Sequence, residues 1–207
     1  MSERIAMMGG TFNPVHVGHV RLARAVVGEL SLGRLLLVPC ARPPHKTGAR
    51  LAPSSDRLAM CRLAVEDDPR IEASDIELGG DGPSYTVDTL RRLGRAHRGA
   101  ELLLVIGADM LRDLHVWRSA SEVVSLARIV TLPRPGVDLG RLAALRAALG
   151  DEAADRLLGD VLATPLVDVS SSEVRRRVAA GEAIDDLVPA AVARYIAEHG
   201  LYQQETV

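Results

Sequence analysis

The sequence predicts a doubly wound α/β domain, a parallel sheet with helices on both faces and a helical C-terminus. Three observations predict it. Short apolar runs at residues 5–8, 35–38, 102–106, 129–132 and 166–169 are continuous rather than alternating, with a less regular run over 71–78. Unbroken strands of this kind suit a parallel sheet covered on both faces. Segments of helical period lie between the runs, and strand–helix alternation throughout winds a parallel sheet.

The helical segments follow in order. Val20, Ala23, Val27 and Leu30 place one apolar stripe after the first run. Leu58, Cys61 and Val65 repeat that spacing behind Ser54 or Ser55, either of which offers an N-cap hydroxyl. Val87, Leu90 and Leu93 do the same behind Ser84. Ser119 and Glu122 have capping-box spacing before Val123 and Leu126. Leu142, Leu145 and Leu149 stripe a helix that stops at Gly150, inside a helical excursion over 138–159. Pro189 suits a first helical turn and Gly200 a stop, framing Val192 and Ile196. Residues 42–53, with their prolines, read as a surface loop. No linker or internal repeat divides the chain, so one domain over 1–207 is expected. Its α/β core would run to about 165, with a phosphate motif and C-terminal helices over 166–207.

Composition narrows the function classes. The 207 residues are enough for a full core, and 47% hydrophobic with 25% charged residues is an ordinary soluble balance. Aromatic residues make up only 2%, so Leu, Val, Ile and Ala must build that core. A formal charge of −2 argues against a general nucleic-acid binder, while allowing a local cationic pocket for phosphates. Cys40 and Cys61 supply neither a disulfide framework nor a metal cluster and read as buried thiols. No signal-peptide pattern and no run of ~20 apolar residues is present, so a cytoplasmic protein without membrane partners is expected. A homo-oligomer is compatible with this composition.

Chemistry concentrates in the loop after the first run, Gly9-Gly10-Thr11-Phe12-Asn13-Pro14-Val15-His16-Val17-Gly18-His19. In an open α/β sheet, ligands bind beyond the carboxyl ends of strands, where this loop lies. Gly9 and Gly10 allow backbone N–H groups to approach an anion closely. His16 and His19 fall near a helix start, where the dipole adds positive potential. A single histidine there would read as a surface or capping residue. Two, behind a diglycine loop, read as donors to phosphate oxygens. No Walker A lysine and no dinucleotide glycine fingerprint is present.

A second motif, Val169-Ser170-Ser171-Ser172-Glu173-Val174-Arg175, combines capping-box spacing with an arginine one turn in. A capped helix start still offers free N–H groups and hydroxyls to an anion, and Arg175 lies within reach of it. Arg176 and Arg177 read as solvated. Three further segments are less telling by themselves. Pro43-Pro44-His45-Lys46 stiffens a loop, Ser84-Tyr85-Thr86 opens a helix, and Gly107-Ala108-Asp109 closes the strongest strand, with Leu114 and the only tryptophan, Trp117, beyond it.

Together these motifs resemble the HxGH nucleotidyltransferase superfamily, in particular its bacterial nicotinate mononucleotide adenylyltransferase branch, over nearly the whole chain. The departures are at 138–162, where no family motif appears, and after Trp117, where a second aromatic is missing. The resemblance implies transfer of AMP from ATP to nicotinate mononucleotide, with His16 and His19 catalytic. It places Gly9, Gly10, Thr11, Phe12, Gly107, Asp109, Ser171, Ser172 and Arg175 with the histidines around ATP. His45, Lys46, Tyr85, Thr86, Trp117 and Arg134 fall on the acceptor side, Trp117 stacking on the pyridine ring for ~1 kcal/mol beyond burial. Asp109 would accept from a ribose or help place Mg²⁺, and the spacing favours neither. Mg²⁺ would come mainly with the ATP phosphates, without direct protein ligands. Other acceptors (nicotinamide mononucleotide, phosphopantetheine or another phosphate ester) and a non-catalytic nucleotide-sensing module are the competing readings.

Overall fold

The computed structural model describes residues 3–42, 51–80, 82–134, 136–139, 142–164 and 167–203. Among them, five strands form one all-parallel sheet: β1 (Arg4–Gly10), β2 (Arg34–Pro39), β3 (Ile71–Ala73), β4 (Glu101–Gly107) and β5 (Arg128–Leu132). The order is β3-β2-β1-β4-β5, with Met7 of β1 flanked by Leu36 and Leu104. The sheet therefore winds outward from β1 in both directions, and its topological switch lies between β1 and β4.

Continuous apolar runs are explained by what covers each face. Successive side chains of a strand point to opposite faces, so both parities must be apolar. Ala6, Met8, Leu35, Leu37, Leu103 and Val105 face a layer made by α1 (Val17–Glu29), α2 (Ser54–Ala64), α8 (Ser171–Ala179) and α9 (Ala190–Glu198). Ile5, Met7, Leu36, Val38, Leu102 and Leu104 face the other layer. That layer holds α3 (Thr86–Ala96), α4 (Ala108–Asp113), α5 (Ala120–Leu126), α6 (Ala143–Leu149) and α7 (Asp151–Gly159). The doubly wound prediction holds, in a Rossmann-like arrangement. Cys61 is buried in the first layer, whereas Cys40 is half-exposed, so only one of the two is the buried thiol expected.

Several local expectations need correction. The run at 71–78 is a strand only to Ala73; residues 76–79 turn, and Leu78 N–H bonds the Asp75 carbonyl. Residues 167–169 of the last apolar run form no strand. The outer edge of β5 instead meets an isolated bridge, Thr131 with Val161, and Ser170, in extended conformation, leads into α8. Pro53 rather than Ser54 or Ser55 precedes α2, and Tyr85 rather than Ser84 precedes α3. The Ser84 hydroxyl takes the Ala41 N–H at 3.1 Å, a tertiary bond that wins over a cap. Ser119 does precede α5, yet in a left-handed conformation (φ 54) that aims no cap bond, and Glu122 pairs with Arg91. Pro189 stands just before α9.

Candidate active site

Loop geometry follows from the end of β1. A Cβ on Gly10 would lie 3.1 Å from the Phe12 ring, so glycine lets that ring fold back over the strand end. Phe12 takes φ 45 and is buried with Val15, which anchors the loop at both ends. The loop also contains a cis Asn13–Pro14 bond. His16 then stands at the N-cap of α1 in an extended conformation.

From there the two imidazoles meet. The His16 and His19 rings stack with centroids 3.7 Å apart, and the Phe12 ring packs edge-on to His19 at 4.9 Å. The His16 backbone N–H donates to His19 Nδ1 at 3.3 Å. In the neutral ring the proton then sits on Nε2, the atom left to donate. Burial pushes His16 down to about 4. Burial pushes His19 well below its ordinary value too, with His16 and Arg134 adding to the effect. Both rings are therefore uncharged donors at neutral pH. Gly18 between them answers a steric demand. A Cβ there would lie 3.0 Å from His16 Nδ1 and 3.3 Å from the Val167 side chain.

The second motif docks on the same loop. Ser170 caps α8 by accepting from Glu173 N–H at 3.2 Å. Ser171 Oγ donates to the Pro14 carbonyl at 2.9 Å, and Arg175 Nη1 to the Asn13 carbonyl at 2.7 Å. Arg175 Nη2 also reaches Ser172 Oγ at 3.2 Å. The N-terminus of α8, with its free N–H groups, is thus carried to the histidines. Arg176 and Arg177 lie on the surface, as expected, in ion pairs with Glu173, Glu182 and Asp186.

Across the switch point, Gly107 ends β4 and Asp109 opens α4. A Cβ on Gly107 would come 2.6 Å from Asp109 Oδ1, which explains the glycine. Asp109 Oδ2 pairs with Arg134 at 2.7 Å, while Oδ1 is buried without a partner among the described residues. Arg134, expected on the acceptor side, therefore sits at the strand end close enough to depress His19.

The remaining acceptor-side residues lie along the second face. Tyr85 and Trp117 are half-buried against the same apolar cluster, and Arg118 sits 4.6 Å over the Tyr85 ring. Thr86 is the first residue of α3, with Ser84 N–H tied to the Arg42 carbonyl at the end of β2. His45 and Lys46 lie outside the described residues.

Three residues of the site were missed from sequence. Arg57, 1% exposed, donates to the carbonyls of Thr11, Ala41 and Ala52. Its signal was readable: it shares a helix face with Cys61 and Ala64, a charge inside an apolar stripe. Asn13 accepts from Ala52 N–H and from Tyr202 OH through Oδ1, each at 3.0 Å. Tyr202 lies beyond the last helix, and burial pushes its hydroxyl pKa up. Nothing local in the sequence marks it.

Among the described residues no group of three His, Cys, Asp or Glu could hold a metal ion, and no helix is long and apolar enough to cross a membrane.

Residues 7–177 match the family model described as cytidylyltransferase-like, which sets the chain among the nucleotidyltransferases. A probable nicotinate-nucleotide adenylyltransferase of Roseiflexus sp. is 44% identical over 205 residues, covering 98% of this chain and 99% of that protein. One of the same name from Symbiobacterium thermophilum is 41% identical over 199 residues, covering 96% and 95%. The chain belongs to the nicotinate-nucleotide adenylyltransferase family. Its fold also matches the Plasmodium falciparum nicotinic acid mononucleotide adenylyltransferase complexed with NaAD, with a TM-score of 0.75 at 18% identity over 97% of both chains.

Two predictions follow from the histidine geometry. Gly18→Ala should keep the melting temperature within a few degrees of the parent, because the about 1 kcal/mol that alanine gains over glycine in a helix is set against crowding of His16 and Val167. Its displaced His16 ring should nevertheless lower turnover by about tenfold or more in steady-state assays.

Below about pH 6.5 the unfolded chain protonates at His16 while the folded chain does not until about 4. Stability should therefore fall as pH drops through that window and level off beneath it, by up to about 3 kcal/mol. Urea midpoints of His16→Gln against the parent should show a gap that moves in the variant's favour as pH falls.

Proposed function

We propose that the chain transfers AMP from ATP to nicotinate mononucleotide, giving deamido-NAD and pyrophosphate. The observation that carries this reading is the pair of neutral, stacked imidazoles at the β1–β4 crevice, facing the N-terminus of α8. The names of the bacterial relatives and the NaAD bound to the Plasmodium enzyme support the choice of substrates.

The acceptor phosphate is already an anion at neutral pH and attacks the α-phosphorus in line, so no general base is needed. Catalysis is then positioning and charge stabilisation. His19 donates from Nε2, and His16 beside it, to α-phosphate oxygens that gain charge. Because both rings are uncharged, the positive potential comes from Arg134, Arg175 and the N-termini of α1 and α8. Gly9, Gly10, Thr11 and Phe12 bring backbone N–H groups to the nucleotide, and Ser171, Ser172 and Arg175 meet the triphosphate. Mg²⁺ is the proposed cation, bound mainly through the ATP phosphates and offsetting their charge. Asp109 Oδ1, buried without a partner among the described residues, is placed to meet the ribose or that cation's hydration shell.

On the acceptor side, the α3 N-terminus at Thr86 is assigned to the pyridine carboxylate, Tyr85 and Trp117 to the ring, and His45 with Lys46 to the acceptor phosphate. One observation keeps the amide in view. Asp88 lies in the first turn of α3, and its pairing with Arg91 at 2.7 Å and with Arg118 at 3.8 Å offsets a charge that would repel a carboxylate. A cytoplasmic setting belongs to the same proposal.

The test is pyrophosphate release by the full chain with ATP, Mg²⁺ and, in turn, nicotinate mononucleotide, nicotinamide mononucleotide and phosphopantetheine. The acid should give the highest kcat/KM, and His19→Ala should lower its kcat by ~10²–10³. No release with any of these acceptors would favour a nucleotide-sensing module, and full turnover by a folded His19→Ala protein would remove the histidine from the mechanism.

A further inference from the structure

Arg57 brings a guanidinium into the interior beside the loop that carries the histidines. Nη1 donates to Thr11 O at 2.7 Å, Nε to Ala52 O at 3.0 Å and Nη2 to Ala41 O at 3.3 Å. The three carbonyls come from separate segments: the loop after β1, the exit of β2 and the approach to α2. All three acceptors are neutral. Burying a charge on such terms is expensive, and an apolar side chain would fill the same space more cheaply. What an apolar side chain lacks is the planar fork.

That fork fixes a peptide plane. In a trans peptide the carbonyl and the following N–H point in opposite directions. The only cis bond among the described residues is Asn13–Pro14, so the Thr11–Phe12 peptide is trans. With the Thr11 carbonyl drawn onto Arg57, the Phe12 N–H is turned out of the cage. Among the described residues no acceptor takes that N–H. Phe12 also holds φ 45, a left-handed conformation that costs a non-glycine residue about 1–2 kcal/mol and persists only under restraint.

We propose that Arg57 is a positioning residue of the transfer reaction: pinning the Thr11 carbonyl aims the Phe12 backbone N–H at a phosphate oxygen of ATP. Through Ala41 and Ala52 the same guanidinium ties the β2 exit and the α2 approach to that peptide, so acceptor-side and donor-side backbone move as one body. The kinetic part of this inference rests on the functional reading above; the binding part needs only ATP.

Phe12 is the only phenylalanine, so ¹⁵N-phenylalanine labelling of the full chain yields one backbone amide signal. Adding ATP with Mg²⁺ and no acceptor should move that signal downfield in the proton dimension. Arg57→Lys keeps the charge and loses the fork. Its Phe12 signal should no longer answer ATP, and its kcat with nicotinate mononucleotide should fall by about 10²-fold while KM for ATP changes far less. A Phe12 signal in the parent that ignores ATP overturns the proposal. So does a folded Arg57→Lys protein with the parental response and turnover, the result a purely structural arginine would give, whatever its melting temperature. The parent arm decides even if Arg57→Lys does not fold, because a downfield shift supports the aim of the N–H and a silent signal defeats it. Failure of the functional reading looks different: the parent makes no product, yet its Phe12 signal still answers ATP.

Discussion

Two imidazoles stacked at 3.7 Å in a buried space are held uncharged, and the surroundings of the pair follow from that constraint. A charge on one ring would meet its neighbour at close range in a poorly solvated space, where repulsion is barely screened. Burial therefore comes first, and the walls that provide it are Phe12, Val167 and the first turn of α1. Once the rings are neutral they supply direction rather than charge. The positive potential that a triphosphate needs has to be brought from outside the pair. Arg134 lies close enough to depress His19 further, and Arg175 holds the Asn13 carbonyl of the same loop.

The sheet makes this convergence cheap. Helices wound from β1 in opposite directions leave a crevice at its carboxyl end, so a loop leaving β1 is met from both sides without any long excursion. What the topology does not provide is stiffness. That comes from carbonyls of the loop itself, each given a strong donor: Thr11 to Arg57, Asn13 to Arg175 and Pro14 to Ser171. The adjoining helix start is held by Val17 N–H on the Leu187 carbonyl at 2.9 Å. Charged and hydroxyl donors on carbonyls are among the stronger hydrogen bonds a protein can make, and here they point inward from two helices, α2 and α8.

How much of this could be read from the sequence depended on range. The strands at 5–8, 35–38, 102–106 and 129–132 were legible because burial on both faces writes itself into consecutive residues. So were His16, His19 and the Ser170 cap, whose spacing is local. The run at 166–169 misled because apolar composition reports burial, not pairing. Val167 packs against the position of Gly18 instead of joining the sheet edge. Ser84 and Ser119 misled because a hydroxyl near a helix start can be captured by a tertiary partner or turned away by its own backbone. Arg57 could have been found as a charge in an apolar stripe. Tyr202 could not, since its partner is 189 positions away and no pattern spans that distance.

That last contact orders events in time. A chain made from Asn13 toward Tyr202 exposes its anion loop long before the hydroxyl that pins it has been synthesised. The contacts from Ser171, Arg175 and Leu187 also arrive late. Closing loops of this length is slow compared with forming the local helices, so the sheet can be in place while the loop is still free. Nucleotide affinity is then a property the chain acquires at the end of its synthesis, delivered by helices that add no strand to the sheet but bury one of its faces. A nascent or C-terminally nicked chain would lack the loop's pins and the cover of one sheet face together, so it would lose its chemistry along with part of its core.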